Sequence, residues 1–165
     1  MNFQIETAKE QHIPAIIRLM REFAGYENLL DFLEITEEKL YEALFGDNGF
    51  VECLFVTSDE TPIAYALFYL NFSSFRGQTG VYLEDIFIKK DFRKHGIGEM
   101  MLKQIARTGR ENGAVRMDFQ VLDWNTPAIN FYKKHGAVMD ESERHFKFTD
   151  EAFENLAAVG SGGRQ

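Results

Sequence analysis

Two stretches of the chain carry residue types that could do chemistry. In "VYLEDIFI", residues 81–88, Glu84 and Asp85 are adjacent on what reads as a β-strand. A carboxylate pair there can bind an ammonium group and accept its proton, or form an ordinary strand-end salt bridge. Because strand side chains alternate, only one of the two is expected to face a given cleft. Five residues on, "RKHGIG" sets Gly96 and Gly98 at the mouth of a helix behind Arg93, Lys94 and His95. A helix start leaves about four N–H groups unpaired and carries partial positive charge, so it seats phosphate, and glycine allows close approach. The stretch has neither the spacing of a Walker loop nor the third glycine of a dinucleotide fingerprint, and it also suits a turn solvated by basic groups.

A third candidate, "INFYKKHG", contains Tyr132, whose phenol could donate a proton. With Ile129 and Phe131 it also reads as the packed face of a helix. The four histidines, His12, His95, His135 and His145, show no i, i+4 pair and no cysteine companion, so no metal is expected.

These residues need elements to hold them. "FQIETA" alternates as a short strand, and Ile13, Ile16, Ile17, Met20, Phe23 and Ala24 make one apolar helical stripe ending near Gly25. "TEEKLYEALFG" predicts a second helix capped by Thr36 and closed by Gly46. "FVECLFVT" and "PIAYALFYLNF" read as strands joined by the turn "SDETP", the second apolar on both faces and so covered on both sides. "VYLEDIFIKK" is a further strand, and Ile97, Met100, Met101, Leu102 and Ile105 anchor the helix after the glycine loop. A strand "VRMDFQVL", a helix from Asn125 to Lys134, a strand-like "RHFKFT" and a last helix capped by Thr149 complete the order.

The chain has 165 residues, 45% of them apolar, and 18 basic against 26 acidic residues give a net charge of −8. That size fits one domain with its own core. The negative charge repels nucleic acid and attracts cationic small molecules or basic peptides, although solubility alone also accounts for it. The single cysteine, Cys53, excludes an intramolecular disulfide and reads as buried strand filler. With no secretory signal pattern and no apolar run of roughly 20 residues, a cytoplasmic protein without a membrane partner is expected.

"RKHGIG" resembles the R-x-x-G-x-G coenzyme A loop of the GNAT acetyltransferases, and "NTPAINFYKKHGA" is similar to the family signature N-x-x-A-x-x-F-Y-x-x-x-G-[FA]. Together with "VYLEDIFI" and "RLMREFAGYE" they resemble the spermidine/spermine acetyltransferases and their thialysine-acetylating relatives over residues 3–148. The resemblance implies an α/β fold of α+β type, with a mixed, mostly antiparallel sheet flanked by helices and a V-shaped cleft between central strands. It implies a single domain over residues 1–157, with a disordered tail over 158–165. It further implies acetyl-CoA as co-substrate, a small primary amine as acceptor (a diamine, a polyamine or a lysine-like amine) and a homodimer. Acetylation of protein N-termini or lysines, or acyl-CoA binding without catalysis, are the alternatives.

Residue by residue, the resemblance picks Glu84 as the group that binds the cationic amine and accepts its proton, directly or through water, with Asp85 supporting the substrate's charge or the local structure from the other side. Tyr132 matches the family's general acid toward the departing thiolate, and backbone N–H groups of Ile86, Phe87 and Ile88 match its thioester contacts. Arg93, Lys94, His95, Gly96, Ile97, Gly98 and Glu99 fall on the pyrophosphate loop, and Asn125, Thr126, Pro127 and Ala128 on the pantetheine side. Tyr26, Glu27 and Glu141 correspond to acceptor-side positions.

Overall fold

The computed structural model describes residues 2–158 of the chain. Apart from Ala158, the tail expected over residues 158–165 lies outside them. The described chain divides into two compact units, one through Asp123 and one from Trp124.

In the first unit five strands form one sheet in the order β1-β2-β3-β4-β5. Strands β1 (Phe3–Thr7), β2 (Glu52–Ser58), β3 (Thr61–Ser73) and β4 (Gln78–Ile88) are antiparallel to their neighbours. Strand β5 (Met117–Phe119) joins β4 in parallel, so the sheet is mixed and mostly antiparallel as expected. The predicted turn between β2 and β3 is a two-residue loop in which Asp59 and Glu60 both take positive φ, the twist a tight hairpin demands.

Helices cover both faces. Helix α1 (Ile13–Tyr26), entered through a short 3-10 turn, sends Ile16, Leu19 and Met20 into a core with Leu40 of α2 (Glu37–Phe45) and Cys53, Phe55, Tyr65, Leu67 and Phe87 of the sheet. The predicted cap of α2 forms: Thr36 Oγ1 accepts from the Lys39 N–H at 3.2 Å. Helix α3 (Ile97–Glu111) packs against β3 and β4 through its buried Ile97, Met101 and Ile105. Burial on both faces explains why residues 63–68 of β3 are uniformly apolar and buried.

The second unit contains α4 (Thr126–Lys134) and α5 (Asp150–Ala157). Asn125 caps α4, its side chain accepting from the Ala128 N–H at 3.3 Å. The helix stops because Gly136 adopts a φ of 90°, which lets its N–H reach the Lys133 carbonyl while Ala137 N–H reaches that of Tyr132. Two expectations fail. Residues 144–149 form no strand and Phe146 and Phe148 are exposed; alternation alone does not make a strand when no described sheet edge takes up the backbone hydrogen bonds. Thr149 precedes α5 as expected, but its side chain makes no capping hydrogen bond. No helix among the described residues is long and apolar enough to cross a membrane.

Candidate active site

The adjacent carboxylates sit on an irregularity of the sheet. Phe68 of β3 pairs with Leu83 of β4 and the next residue, Leu67, pairs with Asp85, so Glu84 is an extra residue without a cross-strand partner. Such a bulge breaks the alternation of the strand and re-aims side chains. Tyr65 and Tyr69, four residues apart on β3 and therefore on one face, meet both acids. The Tyr65 hydroxyl donates to Asp85 Oδ2 at 3.0 Å, and the Tyr69 hydroxyl lies 3.5 Å from Glu84 Oε2. The expectation that only one acid could face a given cleft is thereby corrected: the bulge brings both to the Tyr65–Tyr69 face.

The two acids differ in environment. Glu84 is exposed, whereas Asp85 is half-buried above the apolar cluster containing Tyr65 and Phe87. Burial pushes the Asp85 carboxyl up to about 6; the Tyr65 hydrogen bond pulls the other way, and the charges of Glu84 and Glu27 add to the rise. Glu27, at the C-terminal cap of α1, is itself half-buried, which raises its carboxyl above the usual range. Burial, reinforced by the Asp85 charge, holds the Tyr65 phenol well above 10, so it remains a donor across neutral pH. Among the described residues no cationic side chain pairs with Glu27, Glu84 or Asp85.

Beyond these acids the sheet opens. Strand β5 pairs with β4 only as far as Phe119 with Leu83, while β4 continues to Ile88. The β5-side edge of residues 84–88 thus has no strand partner among the described residues, and alternate N–H groups of Ile86, Phe87 and Ile88 can serve another acceptor. This opening corresponds to the cleft expected between central strands.

The glycine loop follows. Arg93 turns back instead of pointing outward: its Nε donates to the Ile88 carbonyl at 2.9 Å, and its guanidinium lies 4.7 Å from the centre of the Tyr26 ring. It therefore ties the loop to β4 and to the end of α1. Lys94 and Gly96 take positive φ values of 67° and 79°, and Gly96 opens α3 with no side chain capping the helix start. A helix start of this kind leaves N–H groups without intrahelical partners, which suits it to an anion. His95 is exposed with its ring edge toward Phe3; Ile97 and Gly98 are buried; Glu99 pairs with Lys103 at 2.6 Å along the helix.

Beside the loop lies an open groove of about 330 Å³ lined by Ile5, Gly96, Glu99, Met100, Lys103, Gln104 and Arg107. Lys103, Gln104 and Arg107 escaped the sequence reading, which followed only the apolar stripe of α3. Their signal is Lys103 and Arg107 at i, i+4 on the polar face, within three turns of the loop.

In the second unit Tyr132 is the buried residue of α4, at 9% exposure, with the Phe131 ring set edge-on 5.2 Å away. Burial pushes its phenol up to about 12. Thr126, Pro127 and Ala128 form the first turn of α4 behind the buried cap Asn125. Glu141 is exposed in the segment between α4 and α5, and its main-chain carbonyl accepts from Arg144 at 3.2 Å.

The family model described as "Acetyltransferase (GNAT) family" matches residues 14–137. A thialysine N-epsilon-acetyltransferase of Bos taurus is 37% identical over 164 residues, spanning 93% of this chain and 96% of that protein. The human spermidine/spermine N(1)-acetyltransferase-like protein 1 is 33% identical over 94% of this chain and 24% of its own length. Among solved structures, an integron cassette protein from the mobile metagenome of V. cholerae matches with a TM-score of 0.77 at 20% identity, covering 96% of this chain and 99% of that one, a likeness of fold.

Proposed function

Because the chain belongs to the GNAT acetyltransferase family and is accordingly an N-acetyltransferase, we propose that it moves the acetyl group of acetyl-CoA onto a primary amine of a small cationic molecule, lysine-like or diamine. The observation that carries this reading is the set of three carboxylates, Glu27, Glu84 and Asp85, which face one another's charge with no cationic partner among the described residues. An ammonium group supplies what they lack. The relative of 37% identity acts on thialysine by its name, and a lysine-like amine fits a site of this charge.

The loop residues fit the donor. The loop N–H groups from Lys94 to Gly98 suit a pyrophosphate, and Lys103 and Arg107 in the adjoining groove suit a further phosphate. When bound, acetyl-CoA supplies a thioester carbonyl and a thiolate leaving group. Those alternate N–H groups among Ile86, Phe87 and Ile88 that face the open edge of β4 are suited to hold that carbonyl oxygen.

The acceptor must lose a proton before its lone pair can attack, since an alkylamine with a pKa of about 10.4 is charged at neutral pH. Asp85, half-buried and anchored by Tyr65, holds the ammonium. Glu84, exposed beside it, takes the proton directly or through water and passes it to solvent. Tyr132 assists the thiolate by hydrogen bonding more than by giving up its proton. Transfer from a phenol near 12 to a thiolate whose conjugate acid is about 8.5 runs uphill by about three and a half units. The family resemblance also supports a homodimer, which light scattering at micromolar concentration tests.

The deciding experiment presents acetyl-CoA with thialysine, lysine, putrescine, spermidine and a lysine-containing peptide, and follows release of free thiol. Turnover of one or more small amines at higher kcat/KM than the peptide is expected. Preference for the peptide overturns the acceptor class, and no transfer to any of them overturns the reading.

A further inference from the structure

Tyr65 is fully buried in the middle of β3, where the apolar run "IAYALF" would accept phenylalanine on packing grounds. A buried hydroxyl needs a partner, and Tyr65 finds it in Asp85, twenty residues away on the neighbouring strand. Among the described residues this is the one hydrogen bond to the Asp85 side chain, and it engages Oδ2 alone. The same bulge that makes Glu84 extra leaves Asp85 paired with Leu67, two residues along β3 from Tyr65 and on the same face.

We propose that Tyr65 is a positioning residue of the acceptor site: by donating to Asp85 Oδ2 it fixes the rotamer of that carboxylate and leaves Oδ1 as the oxygen that receives the acceptor ammonium. The proposal rests on the acetyltransferase reading above and deepens it. Asp85 is otherwise surrounded by groups that disfavour its charge. Glu84 adjoins it on β4 and Glu27 lies at the end of α1, both acidic, while Cys53 of β2 stays a neutral thiol, pushed up to about 12 by burial and by the Asp85 charge itself. Within this set Tyr65, from β3, is the group that donates to the carboxylate and favours its ionised form.

The test is Tyr65→Phe, which removes the donor and keeps the ring. Loss of a hydrogen bond to a carboxylate moves its titration upward, so the acidic limb of kcat/KM should shift to higher pH by about one unit. Activity should return toward the wild-type level above that limb. Direct titration of the Asp85 carboxyl by 13C NMR, in wild type and in Tyr65→Phe, should show the same upward move without any assay of turnover. The double variant Tyr65→Phe/Asp85→Asn completes the cycle, and the effect of Tyr65→Phe should vanish once Asp85 carries no charge. Coincident titrations in wild type and Tyr65→Phe, or an equal loss of kcat/KM at every pH that persists in the Asp85→Asn background, overturn the proposal. Failure of the wild type to acetylate any amine would instead strike the functional reading, and the NMR titration would still decide the coupling of Tyr65 to Asp85.

Discussion

Tyr65 and Asp85 are joined across adjacent strands by a 3.0 Å hydrogen bond, at the point where β4 carries one residue more than β3. The bond keeps a half-buried carboxylate in place beside two other acids, Glu27 and Glu84. An arrangement that disfavours its own charge in the absence of a cation is suited to capture one.

Asp85→Asn should therefore help the fold and harm the function. The Asp85 carboxyl lies at about 6 against an ordinary 3.8, so the folded state holds the proton more tightly than the unfolded chain. The stability cost is absent below about pH 4, grows as pH rises through this window, and is fully present above about 6. A difference of about two units corresponds to roughly 3 kcal/mol at most, and the neutral amide should recover about 1 to 3 kcal/mol at pH 8 and almost nothing at pH 4. Urea melts at the two pH values read the difference, and kcat/KM for the preferred amine should fall at least tenfold at pH 8.

Tyr132→Phe should lower kcat while sparing the affinity for acetyl-CoA. Loss of one hydrogen bond to a developing thiolate costs about 1.5 to 3 kcal/mol, or roughly tenfold to a hundredfold in turnover. Because the phenol lies at about 12, its ionisation should contribute no alkaline limb below about pH 11. Steady-state rates across pH, with isothermal titration of acetyl-CoA, check both statements. An unchanged kcat would remove Tyr132 from the chemistry.

Gly96→Ala separates backbone cost from ligand cost. An added Cβ meets nothing within 4 Å, so the free protein suffers only from the positive φ of 79°. That conformation costs an alanine about 1 to 2 kcal/mol. If the loop seats pyrophosphate, the methyl group also stands in the approach path, and acetyl-CoA affinity should drop by more than the stability loss accounts for. Thermal melts with and without acetyl-CoA measure the two terms.

Much of this was legible because it depends on neighbours in sequence. The stripe of α1 and the Thr36 cap are local patterns, and each forms as read; the Asn125 cap and the Gly136 stop of α4 are equally local. The bulge at Glu84 was not legible, since "YLEDI" contains no glycine or proline and the extra residue exists only relative to the register of β3. For the same reason nothing in its apolar run singles out Tyr65: its hydroxyl matters through a residue twenty positions away. Residues 144–149 alternate like a strand, but a strand is a relation to a partner, and none among the described residues accepts them.

The last prediction concerns the groove beside the loop. Lys103 is already paired with Glu99 at 2.6 Å, so part of its charge is spent within the helix. Arg107, one turn further along α3, forms no salt bridge among the described residues and lines the same groove. If this groove takes a phosphate of the donor, Arg107→Ala removes binding that is equal in ground and transition states. KM for acetyl-CoA should rise about three- to tenfold with kcat unchanged, as expected for a partly exposed charge pair. The wild-type KM should climb with salt, and the variant's should climb less steeply, because one screened contact has been deleted. Equal salt dependence in the two proteins would place the donor's phosphates away from Arg107 and leave the loop N–H groups from Lys94 to Gly98 as the anion seat.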